Sequence, residues 1–387
     1  MADIKITDLS ELTTPADADI LEIVDDVAGT PTSKKVTVKN LISTKIPHRN
    51  LLINGQGEHA QRGASGSASF TSATTPANSD DTYLIDRWIL LSDGDDIVDV
   101  TQQTGGGVSG KEPYIRLDVE TAEKKFGLLQ IIENKNCKSV LGGTASLSVE
   151  IKVTDATKLS DIRAVVLAWD STADSVTSDI VDAWNAEGTR PTLVANWTAE
   201  NTDSDLGVTT SWVRYEIENI SIDTASAANI GVLIYQNNVA TNDTAGKFLE
   251  ITNIQLEKGS VATDFEYRDV GLELALCKRR FCKSYDQNVV PGTADTDGMV
   301  GYGFTDVASS DYTGITTERF LTTMAGTPSV TLYDEAGTSG KVTMPAGDNL
   351  AGTVTWVGYA GFKAYGTNGA ATDTRSIYFH YTAEIEL

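Results

Sequence analysis

A chain of 387 residues can hold two or three domains, and a composition of 40% hydrophobic and 22% charged residues with 33 glycines is that of a globular protein. Asp and Glu number 54 against 30 Lys and Arg, a formal net charge of −24. So acidic a surface repels nucleic-acid phosphate and anionic lipid, so neither is an expected partner, and no apolar run approaches the length needed to span a bilayer, so no membrane insertion is expected.

Residues 1–47 form a small first unit. Met1-Ala2-Asp3 begins no basic, then apolar, leader, so no signal peptide is expected. Ile20-Leu21-Glu22-Ile23-Val24 is a strand candidate, residues 25–33 with Gly29 and Pro31 read as a turn, and Val36 and Val38 alternate in a second strand. Val38 to Ile46 fits a short helix stopped at Pro47. A unit this small rarely folds alone, so it packs on neighbours or trimerises. On residues alone, a hairpin cap and an attachment module fit equally.

Residues 48–270 read as one β domain. Tyr83 to Leu90 is a strand, and short strands then recur with turn signals between them: Tyr114–Val119, Phe126–Ile132, Ala145–Val153, Ile162–Asp170, Ser211–Ile217, Ile230–Gln236 and Leu249–Leu256. That spacing is the mark of an all-β sandwich. Between Ile251 and Ile254 the apolar phase slips by one residue, which predicts a bulge near Thr252-Asn253. Val176, Ile180, Ala183 and Trp184 stand at helical spacing before Gly188, so a short helix is expected on a long loop. Residues 271–283 read as a linking helix capped by Asp269, with Leu272, Ala275 and Leu276 on its apolar side. Residues 284–387 form a last β unit, with strands at Val300–Thr305, Ser329–Tyr333, Lys341–Met344, Thr353–Val357, Gly361–Tyr365 and Ile377–Glu386.

The chemistry offered is sparse. His48, His59 and His380 are far apart and lack partners at zinc spacing, Cys137, Cys277 and Cys282 show no metal spacing, and Asp93-Gly94-Asp95-Asp96 could offer oxygen ligands to calcium but lacks the spacing and terminal Glu of an EF-hand and reads as a polar turn. No catalytic residue, metal or cofactor is expected, and the cysteines are expected to be reduced thiols in a protein made in a cytoplasm. Aromatic rings can stack on the apolar faces of sugars. Trp88, Trp169 and Trp212 lie in apolar strands and read as core, whereas Trp184 and Trp197 flank a Thr-Arg-Pro loop and are better exposed candidates. Trp356, Tyr359 and Tyr365 stand among glycines near the distal end, where core and ligand roles both fit. The loop from Gly358 to Gly369 adds Phe362, and Lys363 as a cation for an acidic sugar or phosphate.

Four stretches resemble bacteriophage tail-fibre and related virion proteins. The run Asn253 to Gly259, followed by Phe265 to Arg268 and Leu274 to Phe281, is similar to the close of a jelly roll of the carbohydrate-binding-module type. Ile6 to Asp19 resembles an N-terminal virion-attachment module, and Asn50 to Gly55 with Asp86-Arg87-Trp88 resembles the opening of such a jelly roll. Ala325 to Asp334 with Tyr378 to Leu387 resembles a fibre-tip domain. The resemblance implies a structural virion protein, not an enzyme: a tail-fibre homotrimer, attached to other virion proteins by residues 1–47, with a jelly roll over 48–270 and a β tip over 284–387 that meets host surface polysaccharide. A head fibre or collar adaptor without a receptor fits the same residues. A glycan depolymerase fits less well, since no long parallel β-helix pattern and no nucleophile motif is present.

Overall fold

The computed structural model describes residues 20–25, 32–37, 49–222, 227–237, 246–304, 312–344, 349–367 and 375–387. The chain is all-β and divides into two compact units, residues 1–49 and 50–387. In the first, Ile20–Asp25 and Thr32–Thr37 pair antiparallel, with Ile20 opposite Thr37. The helix expected over 38–46 lies outside the described residues.

The second unit opens with two six-stranded antiparallel sheets packed face to face. One runs in the order Val213–Ser221, Thr144–Val153, Phe248–Lys258, Tyr114–Val119, Val98–Gln103, Ser69–Phe70. The other runs Trp197–Ala199, Ile162–Trp169, Asn229–Gln236, Phe126–Ile132, Ile89–Ser92, Thr82–Tyr83. The middle strands of the second sheet read as unbroken apolar runs because both of their faces are covered. Leu128, Ile132, Val166, Val232 and Ile234 point into the core between the sheets. Leu129, Ile131, Leu167, Leu233 and Tyr235 point the other way, into a second cluster. That outer face is closed by the chain between Asp170 and Ala199, which lays Ile180 and Trp197 on it with Val176 and Trp184, and by Leu387. Val176 to Glu187 is therefore no helix. Val181–Ala183 pairs instead with Thr192–Leu193. The apolar spacing that suggested a helix serves as the lid of a sheet.

The predicted bulge is present. Pairing of Phe248–Lys258 with Thr144–Val153 shifts register between Thr252 and Gln255, and Asn253 adopts a φ of 50°. The segment Tyr83 to Leu90 is not one strand, because Leu84 to Trp88 forms a turn with Arg87 at φ 72°. The helix Val270–Lys278 is capped by Asp269, whose carboxylate accepts from Gly271 N–H and Leu272 N–H. Its orientation differs from expectation. Glu273 and Cys277 face inward and Leu272 faces solvent, because Glu273 is held by Asn54 N–H and by the Arg268 guanidinium.

The last strands form an eight-stranded antiparallel sheet built around Arg375–Glu384, which pairs with four other strands. Its core gathers Leu332, Val342, Phe362, Ala364, Phe379 and Tyr381. The strand Tyr312–Arg319 at its edge was not expected. Ion pairs with buried arginines lock this sheet to the jelly roll. Arg62 donates to Glu384 at 2.6 Å and to Glu386 at 3.0 Å, Arg87 pairs with Glu386, and Arg280 with Glu133 at 3.0 Å. Tyr83 O–H donates to the Leu387 carbonyl at 2.8 Å.

Candidate functional site

The C-terminal sheet presents an aromatic surface. Asn349–Gly358 and Gly361–Thr367 form a hairpin, with Thr355 opposite Lys363, Thr353 opposite Tyr365 and Gly358 opposite Gly361. Alternation along the second strand sends Phe362, Ala364 and Gly366 into the core, so Lys363 and Tyr365 point outward. On the first strand the register shifts between Thr355 and Gly358, and Trp356 sits at this bulge with a φ of 54°. A Trp in left-handed backbone is strained, and strain of this kind gathers at functional positions. Here it places an indole in solvent: Trp356 is 80% exposed.

Neighbouring groups complete the surface. Lys363 Nζ lies 4.3 Å from the Trp356 ring centroid and 5.8 Å from that of Tyr365, a cation–π arrangement. Tyr359, 59% exposed, tips the hairpin turn. Its backbone is fixed: the Tyr359 carbonyl accepts from Met324 N–H at 2.8 Å and that of Ala360 from Phe320 N–H at 3.1 Å. Gly361 is required beneath, since a Cβ there would stand 2.1 Å from the Glu318 carbonyl oxygen. Leu321, 66% exposed, lies on the loop that makes these bonds. Thr317 and Arg319 border the same shallow depression from the edge strand, Thr317 opposite Lys363 and Arg319 opposite Gly361. Rings on a rigid hairpin beside hydroxyl groups and cations can stack on a sugar face and donate hydrogen bonds to its oxygens.

The sequence candidates thus separate. Trp356, Tyr359, Lys363 and Tyr365 come together, while Phe362 belongs to the core. Trp197, expected to be exposed, is 5% exposed and packs on Trp169 with ring centroids 5.5 Å apart. Its strand pairs with the edge of a sheet whose outer face is covered, which removes it from solvent. Trp184 is half-buried, 6.5 Å from the Tyr235 ring. Trp88 and Trp169 are core, whereas Trp212 is half-buried, edge-on to Tyr114 at 5.4 Å. Sequence reasoning missed Thr317, Arg319 and Leu321; the alternation of Thr317 and Arg319 along a Thr-rich strand was the available signal.

Other polar clusters are structural. Ser284 Oγ lies 3.0 Å from His380 Nδ1, yet it also accepts from Tyr381 N–H at 2.9 Å, and the buried His380 ring stacks on Tyr285 at 3.7 Å. Burial lowers the His380 pKa, which keeps the ring neutral. Among the described residues no three His, Cys, Asp or Glu side chains converge as metal ligands.

No family model and no curated protein matches this chain. Solved structures do. The enzymatically active domain of tailspike protein 4 of bacteriophage CBA120 is 14% identical over 55% of this chain and 22% of its own length, with a TM-score of 0.31. The xylan-binding domain from carbohydrate-binding module family 22 is 11% identical, covering 48% of this chain and 94% of that one, with a TM-score of 0.29. A family 11 carbohydrate-binding module of a Clostridium thermocellum cellulosomal cellulase is 16% identical over 46% and 92%, with a TM-score of 0.25. This chain therefore spans less than a quarter of the tailspike chain, and at these scores the likenesses carry no argument about function.

Proposed function

We propose that this chain is a structural virion protein of the phage-fibre type, which binds a surface glycan through the aromatic platform on its C-terminal sheet. The observation that carries the binding role is Trp356, held outward by a strained bulge and flanked by Lys363, Tyr365 and Tyr359. Unneeded exposure of so large a ring is costly, and aromatic residues anchored on a rigid scaffold are typical binding anchors. The virion role is supported by the four stretches that resemble phage fibre proteins, in the same order along the chain. In this reading residues 1–47 attach to other virion proteins, residues 48–270 form a jelly roll of the carbohydrate-binding-module type, and residues 284–387 form the tip. Three copies assemble; light scattering that finds a stable monomer would contradict this part.

A glycan depolymerase at the platform is disfavoured by its chemistry. Hydrolysis of a glycosidic bond requires two carboxyl groups flanking it. Among the described residues of the three strands that build the platform, the one carboxylate is Glu318, opposite the inward-facing Phe362. The test is glycan binding by the intact protein and by Trp356→Ala. Loss of a central aromatic anchor costs about 2 kcal/mol, or about 30-fold in affinity.

A further inference from the structure

We propose, resting on the glycan-binding reading, that the platform selects an anionic glycan, one whose sugar carries a carboxylate or a phosphate. In a chain with 54 acidic and 30 basic residues, an arginine ordinarily finds an acidic neighbour. Arg62, Arg87, Arg116, Arg163, Arg214 and Arg268 all do so. Arg319 does not: among the described residues it has no carboxylate within ion-pair distance, and Lys363, in common with several other lysines, has none either. Register explains why. Thr317, Arg319, Lys363 and Tyr365 share the outward face with Trp356, and Glu318 is turned to the other side opposite Phe362. Three neighbouring strands thus turn two cations outward, while their one carboxylate among the described residues, Glu318, lies half-buried at the edge of the depression on the inward side of its strand.

A net charge of −24 would repel an anion at long range. At physiological salt, however, charges act over only about 8 Å, so the local cations decide. Lys363 is held over the indole, with its ammonium group beside the ring on which a sugar would stack. An ammonium pairs with a carboxylate or phosphate as a point charge, and the guanidinium of Arg319 adds a planar fork of donors. Trp356 stays 80% exposed with Lys363 over its ring, so stacking and charge pairing can engage the same sugar unit.

The experiment uses matched probes. An oligogalacturonate is compared with its carboxyl-reduced form, and a phosphorylated mannose oligosaccharide with its phosphatase-treated form. Each is titrated by calorimetry into the intact chain, Lys363→Gln, Arg319→Gln and Trp356→Ala, with folding checked by circular dichroism. At least one charged probe should bind about tenfold more tightly than its neutral partner, and this preference should fade as salt is raised beyond the range where the screening length drops to a few ångströms. The carboxylate and phosphate pairs tell the two sources of charge apart. Lys363→Gln should abolish the preference, bringing the charged probe to the affinity of its neutral partner for that variant, and Trp356→Ala should weaken both. Equal, salt-independent binding of charged and neutral partners would overturn the inference and leave the glycan reading standing. Failure of every probe to bind the folded protein would overturn both. A change of solution mass on Lys363→Gln or Trp356→Ala would also overturn it, since the face would then join copies of this chain.

Discussion

Replacing Glu386 with Ala should loosen the whole C-terminal sheet from the jelly roll. Arg87 is 2% exposed and Glu386 7% exposed, and they pair directly. Arg62 also reaches Glu386, at 3.0 Å, but keeps Glu384 at 2.6 Å. Removal of Glu386 therefore falls mainly on Arg87, whose remaining bond is to the Ile131 carbonyl at 2.9 Å. Breaking a buried ion pair from one side typically costs 3–5 kcal/mol, because a charge is left without compensation in the interior. The partial compensation by Glu384 and Ile131 puts the expected loss at about 3 kcal/mol. In a unit of this size each kcal/mol moves the melting temperature by roughly 2 °C, so a fall of about 6 °C is predicted. Differential scanning calorimetry measures it. The double variant Arg87→Met with Glu386→Leu should recover most of the loss, since an apolar pair of similar volume removes both buried charges. A fall below about 1 kcal/mol for Glu386→Ala would show that the clamp is solvated in solution and refute the reasoning.

Tyr359→Ala and Tyr365→Ala should leave the melting temperature nearly unchanged, whereas Phe362→Ala should cost about 3–5 kcal/mol, because only Phe362 fills the core; thermal denaturation of the three variants checks the contrast. Asp99 faces Asp118 across two strands, and burial, with Glu120, Asp96 and Asp118, raises its pKa to about 6. A carboxyl raised in the fold contributes stability below its unfolded pKa and loses it as pH rises through about 6. The wild type should therefore gain on Asp99→Asn as pH falls from about 7 to about 5 in urea titrations, and parallel pH profiles would contradict this. His380 has the opposite sign. Burial lowers its pKa, so its contribution is present above the ordinary histidine value and is lost as pH falls through the lower folded one. His380→Gln should flatten the acid limb of the stability curve.

Legibility in the sequence followed periodicity. Phe126–Ile132 and Tyr114–Val119 have the bounds expected, since apolar runs and alternation are local signals. The bulge at Asn253 was visible as a phase slip for the same reason. Val176 to Glu187 misled because its apolar spacing is set by the sheet face that it covers, a tertiary demand that imitates a helix. Trp197 misled likewise: its neighbours in sequence are polar, and its burial comes from Trp169 and the sheet beneath it. In the helix Val270–Lys278, the distant partners Asn54 and Arg268 draw Glu273 inward against its polarity. The clamp of Arg62 and Arg87 on Glu384 and Glu386 joins residues about three hundred positions apart and leaves no local trace. At the platform, Trp356, Tyr359, Lys363 and Tyr365 were visible as residue types among glycines. Which of them faced outward depended on the register shift between Thr355 and Gly358.

The most direct measurement is the binding of intact protein to surface polysaccharide, compared with Trp356→Ala, with the melting temperature of each recorded alongside. The account predicts that Trp356→Ala loses about 30-fold in affinity at an unchanged melting temperature, because the indole is exposed and supports no core. Undiminished binding by the folded variant would contradict it.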